Sequence, residues 1–405
     1  MRKTNVIIKL TAAILAVCLT AVLFAGCGAS KTVVMSFEGE NGKTYTITES
    51  EFDLLMRIRK RMIFCNLLYT TNKDTASFWA EKSSEDPDKN NEQYYKEIVM
   101  DQVKAVLVEK YLFDSLGLSL SKDTLDSYKP SIKSAEKNYG GKGAYKQYFG
   151  YTASTYYNVY EQMVDKSEML LEHLTQKGGV CEVTDEDLNK YYTDHYVGYQ
   201  YIVLDMKNKV VRDEQGNRVL TTKKDEDGKE VDGDSYKTEE MTKDEKSAKE
   251  NLPKAILDAL KDESKTFEEL IAEYSDAYYS VEFPEGQFVD KEATFINTTV
   301  TDKIKDLEIG EYTAEAITSG DYKYIVKRVE LKEKAYDDDK YLEFFTDFQD
   351  TVEYDEYEAY VETFFGKINV VTTITDTYTM QETFLSPYVD EYYRNILYYY
   401  YGISY

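Results

Sequence analysis

Side chains that could move a proton, attack a carbonyl or ligate a metal are few in this sequence and widely scattered. The only histidines are His173 and His195, and neither stands in a recognisable motif. Four cysteines occur, at positions 18, 27, 65 and 181, with no C-x-x-C pair and no Cys/His spacing of the kind that zinc sites use. A nucleophile needs a base within hydrogen-bond reach, and the sequence offers no such pairing by spacing. Tyrosine is abundant instead, with 39 residues. A phenol is protonated at neutral pH and supplies a hydrogen-bond donor on a broad aromatic ring. Such a surface grips many sequences at low entropic cost, although tyrosines also fill half-buried positions in a core.

The stretch Thr266 to Val329 carries the clearest order of elements. TFEELIAEYSD predicts a helix with Phe267, Leu270, Ile271 and Tyr274 on one side. A loop with Pro284 and Gly286 leads to a second helical piece, VTDKIKDLEIG, which stops at Gly310. Two alternating β runs follow, broken by Ser319, Gly320 and Asp321. A further strand, YQYIVLDM from Tyr199 to Met206, is available upstream to pair with them.

This order and wording resemble a parvulin-type peptidyl-prolyl isomerase domain. The residues concerned are Tyr201-Ile202-Val203-Leu204, FEELIAEYSD, LEIGEY and DYKYIVKR. The resemblance implies a β/α roll of the FKBP-like kind. It also implies two histidines and a Cys or Asp that favour the twisted amide of an X-Pro bond. The matching positions here are Tyr201, Tyr324 and Ala277, and sliding the last strand by one residue brings Lys323 to the second slot. Ile296 and Val300 fall where the family has larger apolar residues lining the proline pocket. The fold signature is present and the catalytic trio is replaced, so isomerase activity is an open question and the expected site is a degenerate one. The resemblance implies no cofactor.

Composition and the N-terminus give an address. The chain has 405 residues with 49 basic and 75 acidic ones, a net charge of −26, which excludes a general binder of nucleic acid or anionic lipid. A basic head, MRKTNVIIK, precedes an apolar run from Leu10 to Ala25 that is short for a membrane span and reads as an export signal. Leu23-Phe24-Ala25-Gly26-Cys27 resembles a bacterial lipobox, which implies a signal peptide over 1–26, acylation of Cys27 and a lipid-anchored protein on the extracytoplasmic face of the cell membrane. Two acyl chains suffice for stable anchoring. Cys65 and Cys181 remain, able to pair in an exported protein or to sit as small buried hydrophobes.

The rest of the chain is read as α+β. Residues 32–180 start with a hairpin turning at Asn41-Gly42 and a helix launched by the capping box Thr48 to Glu51. A short helix near Trp79 and a series of long helices from Glu92 to Leu174 come next. This part resembles the helical N-terminal module of SurA- and PrsA-type chaperones. By that resemblance the segment 336–405, with a helix from Asp337 to Phe365 and the β run KINVVTTIT, returns to complete the module. Residues 182–335 form the parvulin-like domain, with a charged insertion at 205–249 that contains a small hairpin at Gly216-Asn217 and is otherwise expected to be a solvated excursion. The partners implied are unfolded or partly folded exported proteins and, through the lipid, the membrane; no nucleic acid is expected, and a homodimer is left open. The alternative is a solute-binding lipoprotein of a transporter, which would need two βαβ lobes.

Overall fold

The computed structural model describes residues 30–66, 74–224, 228–291, 293 and 298–387. Cys18, Cys27, Ile296 and the tail after Pro387 lie outside the described residues, as does the Cys65 side chain. The fold mixes helix and strand. The chain divides into two compact units, one formed by residues 1–182 with 354–405 and one by residues 183–353.

In the first unit, β1 (Val33–Glu38) and β2 (Thr44–Thr48) form an antiparallel hairpin, Phe37 opposite Tyr45. Gly42 takes φ +73 in its turn, a conformation that L side chains adopt at a cost. Helix α1 (Glu49–Asn66) starts where expected: Thr48 N donates to Glu51 Oε2 at 2.8 Å, and Glu51 N donates back to Thr48 Oγ1 at 3.3 Å. The short α2 (Ala76–Ala80) buries Trp79, whose indole N–H donates to Asp74 at 2.8 Å. Then come α3 (Asn91–Ser115), α4 (Lys122–Asn138), α5 (Lys142–Phe149) and α6 (Gln162–Thr175), the last preceded by a π-helical turn at Tyr156–Glu161. Phe52 and Met56 of α1, Val99, Val103 and Leu107 of α3 and Leu170 of α6 meet β1 in one core. Cys181 joins it as a buried free thiol.

The second unit opens with α7 (Asp185–His195), capped by Thr184 and Asp187, and runs directly into β3 (Tyr196–Asp205), which is buried along nearly its whole length. The insertion is more ordered than its charge suggests. It contains β4 (Asn208–Val210), β5 (Leu220–Lys224), β6 (Glu230–Tyr236), β7 (Thr238–Glu240) and α8 (Lys243–Glu250), with β4 paired to β7 and β5 to β6. The solvated excursion is thus corrected for its described residues. They bury little apolar surface, but local hydrogen bonds and ion pairs to the host hold them. Lys249 Nζ reaches Asp276 at 2.6 Å with both side chains largely buried, and Arg218 Nη2 donates to the carbonyls of Ala272 and Ser275 at 2.7 and 3.1 Å.

Beyond the insertion lie α9 (Leu252–Lys261), α10 (Phe267–Tyr274), α11 (Tyr278–Glu282), β8 (Gln287–Asp290), α12 (Thr298–Asp306), β9 (Ile317–Ser319) and β10 (Tyr322–Val329). The four strands form an antiparallel sheet in the order β8-β3-β10-β9. Period-2 alternation sorts its side chains by face. Ile202, Leu204 and Ile325 pack on Ile256 of α9 and on Phe267, Leu270 and Ile271 of α10, whereas the odd-numbered residues of β3 face α12.

Residues 336–353 require a correction, since they belong to this unit rather than to the N-terminal one. Tyr341, Phe345, Phe348 and Val352 are buried against Tyr192, Phe283 and Phe288. Nor is the helix continuous from Asp337. Two 3-10 turns, at Ala335–Asp337 and Leu342–Phe344, precede α13 (Phe348–Glu362). The run Asp337-Asp338-Asp339 favours turns, and the Asp338 carboxylate takes the Lys340 amide at 3.0 Å.

After α13 the chain forms β11 (Ile368–Val370), antiparallel to β1 with Met35 opposite Val370 and Phe37 opposite Ile368, so the first unit has a three-stranded sheet in the order β11-β1-β2. Lys60, fully buried on α1, fastens the segment beyond it. Its ammonium donates to the carbonyls of Gln381 (3.0 Å) and Thr383 (2.8 Å) and pairs with Asp74 at 2.8 Å.

Glu109 of α3 is enclosed where it meets α6 and α13, accepting hydrogen bonds from Tyr357 (2.7 Å) and Ser167 (2.8 Å) on one oxygen. Burial pushes its carboxyl above the ordinary range, against those two hydrogen bonds and Arg59, and Glu358 adds to the upward push. A carboxyl raised on folding stabilises the fold fully below its unfolded pKa, and that contribution is lost as pH rises through the folded value. Glu109→Gln keeps the acceptor without the charge. We expect it to flatten the fall in stability as pH rises from the ordinary carboxyl range toward neutrality, leaving the variant the more stable form at the upper end. Denaturant melts across that range check this, and parallel curves for the two proteins would refute it.

Candidate functional site: an apolar, tyrosine-bearing sheet face

The residues singled out by spacing converge in the second unit. On β3, Tyr201 lies opposite Val326 of β10, and Val203 opposite Tyr324, so Tyr201 and Tyr324 share a face. Val300 and Ile304 of α12 close over that face, and Ala277, Val289, Leu307 and Ile317 pack at its edge. Tyr201, Tyr324, Ala277 and Val300 thus meet in one cluster. Lys323 sits opposite Leu204 and alternates to the other face. His195 is elsewhere, stacked on Tyr191 at the end of α7, and His173 is in the first unit.

The corner at Ser275-Asp276 positions Ala277. Ser275 is fully buried; its Oγ takes the Val203 amide at 3.1 Å and contacts Ser280 Oγ at 2.5 Å. Asp276 N donates to the Val203 carbonyl at 2.8 Å, and its carboxylate takes the Asp205 amide at 2.9 Å. These bonds fix where α10 ends and α11 begins relative to β3. An acid or thiol at residue 277 would therefore be held against the sheet, but the side chain present is a methyl.

Two further residues belong to the site. Tyr199 OH donates to Gln287 Oε1 at 3.0 Å, and Gln287 Nε2 faces Tyr201 OH at 3.5 Å, all three being buried. Gln287 carries no sequence signal, because its role exists only once β8 has paired with β3 and set it opposite Tyr199. Burial pushes the Tyr201 hydroxyl up to about 12, with Gln287 working against the shift and Tyr324 and Tyr279 adding to it. Burial raises Tyr324 and Tyr199 too. All three phenols are protonated and neutral near pH 7. Among the described residues, no cluster of His, Cys, Asp and Glu suited to a metal ion occurs. Tyr201, Tyr324, Val300 and Val326 are all buried, so the phenols stand inside a packed apolar cluster under α12; among its described residues none is suited to general acid-base exchange at neutral pH.

The first unit offers a separate recess. A cleft of about 420 Å³ is lined by Tyr111, Leu116, His173, Val180, Tyr360 and Phe364, among others. That volume lies in the range of small-ligand pockets. Its apolar lip is open to solvent, Val180 being 62% exposed and Leu116 40%. Of the 39 tyrosines, many are packing residues. Tyr139, Tyr145, Tyr148 and Tyr151 cluster with Phe149 at ring separations of 4.5 to 5.9 Å.

No family model matches the chain, and no curated protein is similar to it. Solved structures that it resembles include PrsA from Bacillus subtilis, at 18% identity over 68% of this chain and 84% of that one, with a TM-score of 0.22. The foldase protein PrsA from Streptococcus pneumoniae is 17% identical over 83% of this chain and 91% of that one, with a TM-score of 0.23. The peptidylprolyl isomerase PrsA from Bacillus anthracis is 15% identical over 65% and 94%, with a TM-score of 0.20. Identities and scores this low leave the function of the chain to its own residues.

Proposed function

We propose that this chain is a membrane-anchored, extracytoplasmic foldase that holds unfolded exported proteins, with a parvulin-type unit whose catalytic residues have been replaced. The observation that carries the reading is the meeting of Tyr201, Tyr324 and Ala277 on one face of the sheet β8-β3-β10-β9. These are the positions that the parvulin resemblance picks out. The open aromatic cleft of the first unit supports a holding role. The sheets described are antiparallel throughout, whereas a solute-binding protein with two βαβ lobes needs parallel pairs.

The chain from Gly28 onward should suppress aggregation of a chemically unfolded protein at roughly equimolar ratio, and small solutes should leave its melting temperature unchanged. Unaltered aggregation combined with a melting shift from one sugar, amino acid or oligopeptide would favour the transporter reading. The proposed anchor rests on Cys27 after a short apolar run and two small residues. Cys27→Ala should therefore take up no labelled fatty acid in cells, and a labelled variant would remove the anchor from the proposal.

A further inference from the structure

The cleft of the first unit is assembled from stretches that lie far apart in the sequence. The C-terminal ends of α3 and α6 bring Tyr111 and His173, α13 brings Tyr360, and the turn after α6 brings Val180. All of them belong to the same compact unit. The turn has a fixed form. Gly178 takes φ +86, a side chain on Gly179 would run into the Leu174 carbonyl, and the Cys181 amide donates to that carbonyl at 2.9 Å. Cys181 is thereby drawn into the core, while Val180 beside it is held out at the mouth of the cleft. Leu116 stands on the same lip, where Gly117 at φ +68 turns the chain out of α3.

Two phenols in the wall lack partners. Tyr111 is only 7% exposed and Tyr360 is half-buried, yet among the described residues neither hydroxyl makes a hydrogen bond, and neither is sealed inside the core. Other tyrosines of this unit are satisfied: Tyr45 donates to Asp114 at 2.5 Å and Tyr357 to Glu109 at 2.7 Å. Buried polar groups are normally paired, so two open donors in one wall mark a place for an acceptor from outside. Burial holds the Tyr360 hydroxyl above its ordinary range, which keeps it a donor at neutral pH. The lining carries little charge. Glu40 is its only carboxylate, no lysine or arginine lines it, and Lys367 pairs with Glu40 at 3.8 Å on the rim.

A charged side chain entering this cleft would lose hydration without gaining an ion pair, whereas an apolar one gains burial. The apolar surface also runs past the mouth onto Val180 and Leu116, so it suits an occupant that continues outside the cleft, as a polypeptide does. We propose that the cleft takes one large apolar side chain of an extended, uncharged client segment, whose backbone carbonyls accept hydrogen bonds from Tyr111 and Tyr360 and whose next apolar residues lie on Val180 and Leu116. This rests on the client-holding reading above and names the kind of segment held.

The test uses the full-length chain and two end-capped, dye-labelled nonapeptides that differ only in the central residue, phenylalanine or glutamate, read by fluorescence anisotropy. The phenylalanine peptide should bind at least tenfold more tightly. Tyr111→Phe/Tyr360→Phe keeps both rings and should weaken it about tenfold, in line with two neutral hydrogen bonds, while the melting temperature holds. Val180→Asp and, separately, Leu116→Asp should weaken it as much. Leu125→Asp changes a leucine of α4 that is as exposed as Leu116 but outside the cleft, and should leave binding intact. Equal loss in this control would mean that any apolar surface serves, and would overturn the cleft. Unchanged binding in the Tyr111→Phe/Tyr360→Phe and Val180→Asp variants would overturn it too, sparing the client-holding reading if aggregation is still suppressed. Binding of neither peptide together with no suppression of aggregation would remove both.

Discussion

Deleting residues 354–405 should abolish cooperative unfolding of residues 30–182 and leave the protection of residues 196–329 nearly unchanged. The deletion removes Tyr357, Val361 and Met380 from the buried core, together with the partly buried Phe364, Ile368 and Val370. Burying one such side chain contributes about 1.5–3 kcal/mol, and a domain is stable by only about 5–15 kcal/mol in total. The deletion also leaves an unpaired edge on β1 and takes the Gln381 and Thr383 carbonyls from Lys60. Removing partners from a buried charge commonly costs about 3–5 kcal/mol. Hydrogen exchange by mass spectrometry reads both halves at once. Slow exchange retained across Val99–Leu112 would show that the returning segment is dispensable.

The second large effect is an absence of catalysis. The full-length chain should accelerate isomerisation of a proline-containing tetrapeptide no more than marginally. Each positioned electrostatic donor in an active site is typically worth about 10²–10³ in rate. Tyr201 and Tyr324 carry neutral phenols that burial holds protonated, and Ala277 carries no polar atom. The barrier to rotation about a peptide bond is about 20 kcal/mol, and nothing on this face titrates near pH 7 to help lower it. Robust turnover abolished by Tyr201→Phe or Tyr324→Phe would mean that the phenols have taken over the role, and the reading of a replaced site would fall.

The sequence made the second unit's face legible through alternation. Tyr201, Val203, Tyr324 and Val326 stand at period 2 in two β runs, which sets them on one face once the runs pair. The box at Thr48 to Glu51 and the turn at Gly42 were readable because their chemistry is local. Gln287 was not, since its contacts come from a strand more than eighty residues away in the chain. The order of the insertion escaped a reading based on composition because Arg218 and Lys249 fasten it through single polar contacts to Ala272, Ser275 and Asp276. Periodicity registers apolar faces and is blind to such contacts. The aromatic run from Tyr336 to Phe348 misled for a related reason. Its three- and four-residue spacings fit a helix, but these residues close a core around Tyr192 and Phe288 from two short turns.

Because Met35 pairs with Val370, the first unit is topologically interrupted, while residues 183–353 are contiguous. During vectorial synthesis the contiguous unit has all its strands before β11 exists. Until then β1 has only β2 beside it, and the face formed by Val34, Met35 and Phe37 lacks part of its cover. Contacts of such long sequence separation form late and leave apolar surface open to misassociation. Through most of its own synthesis this chain therefore carries the exposed apolar surface of an incompletely folded protein.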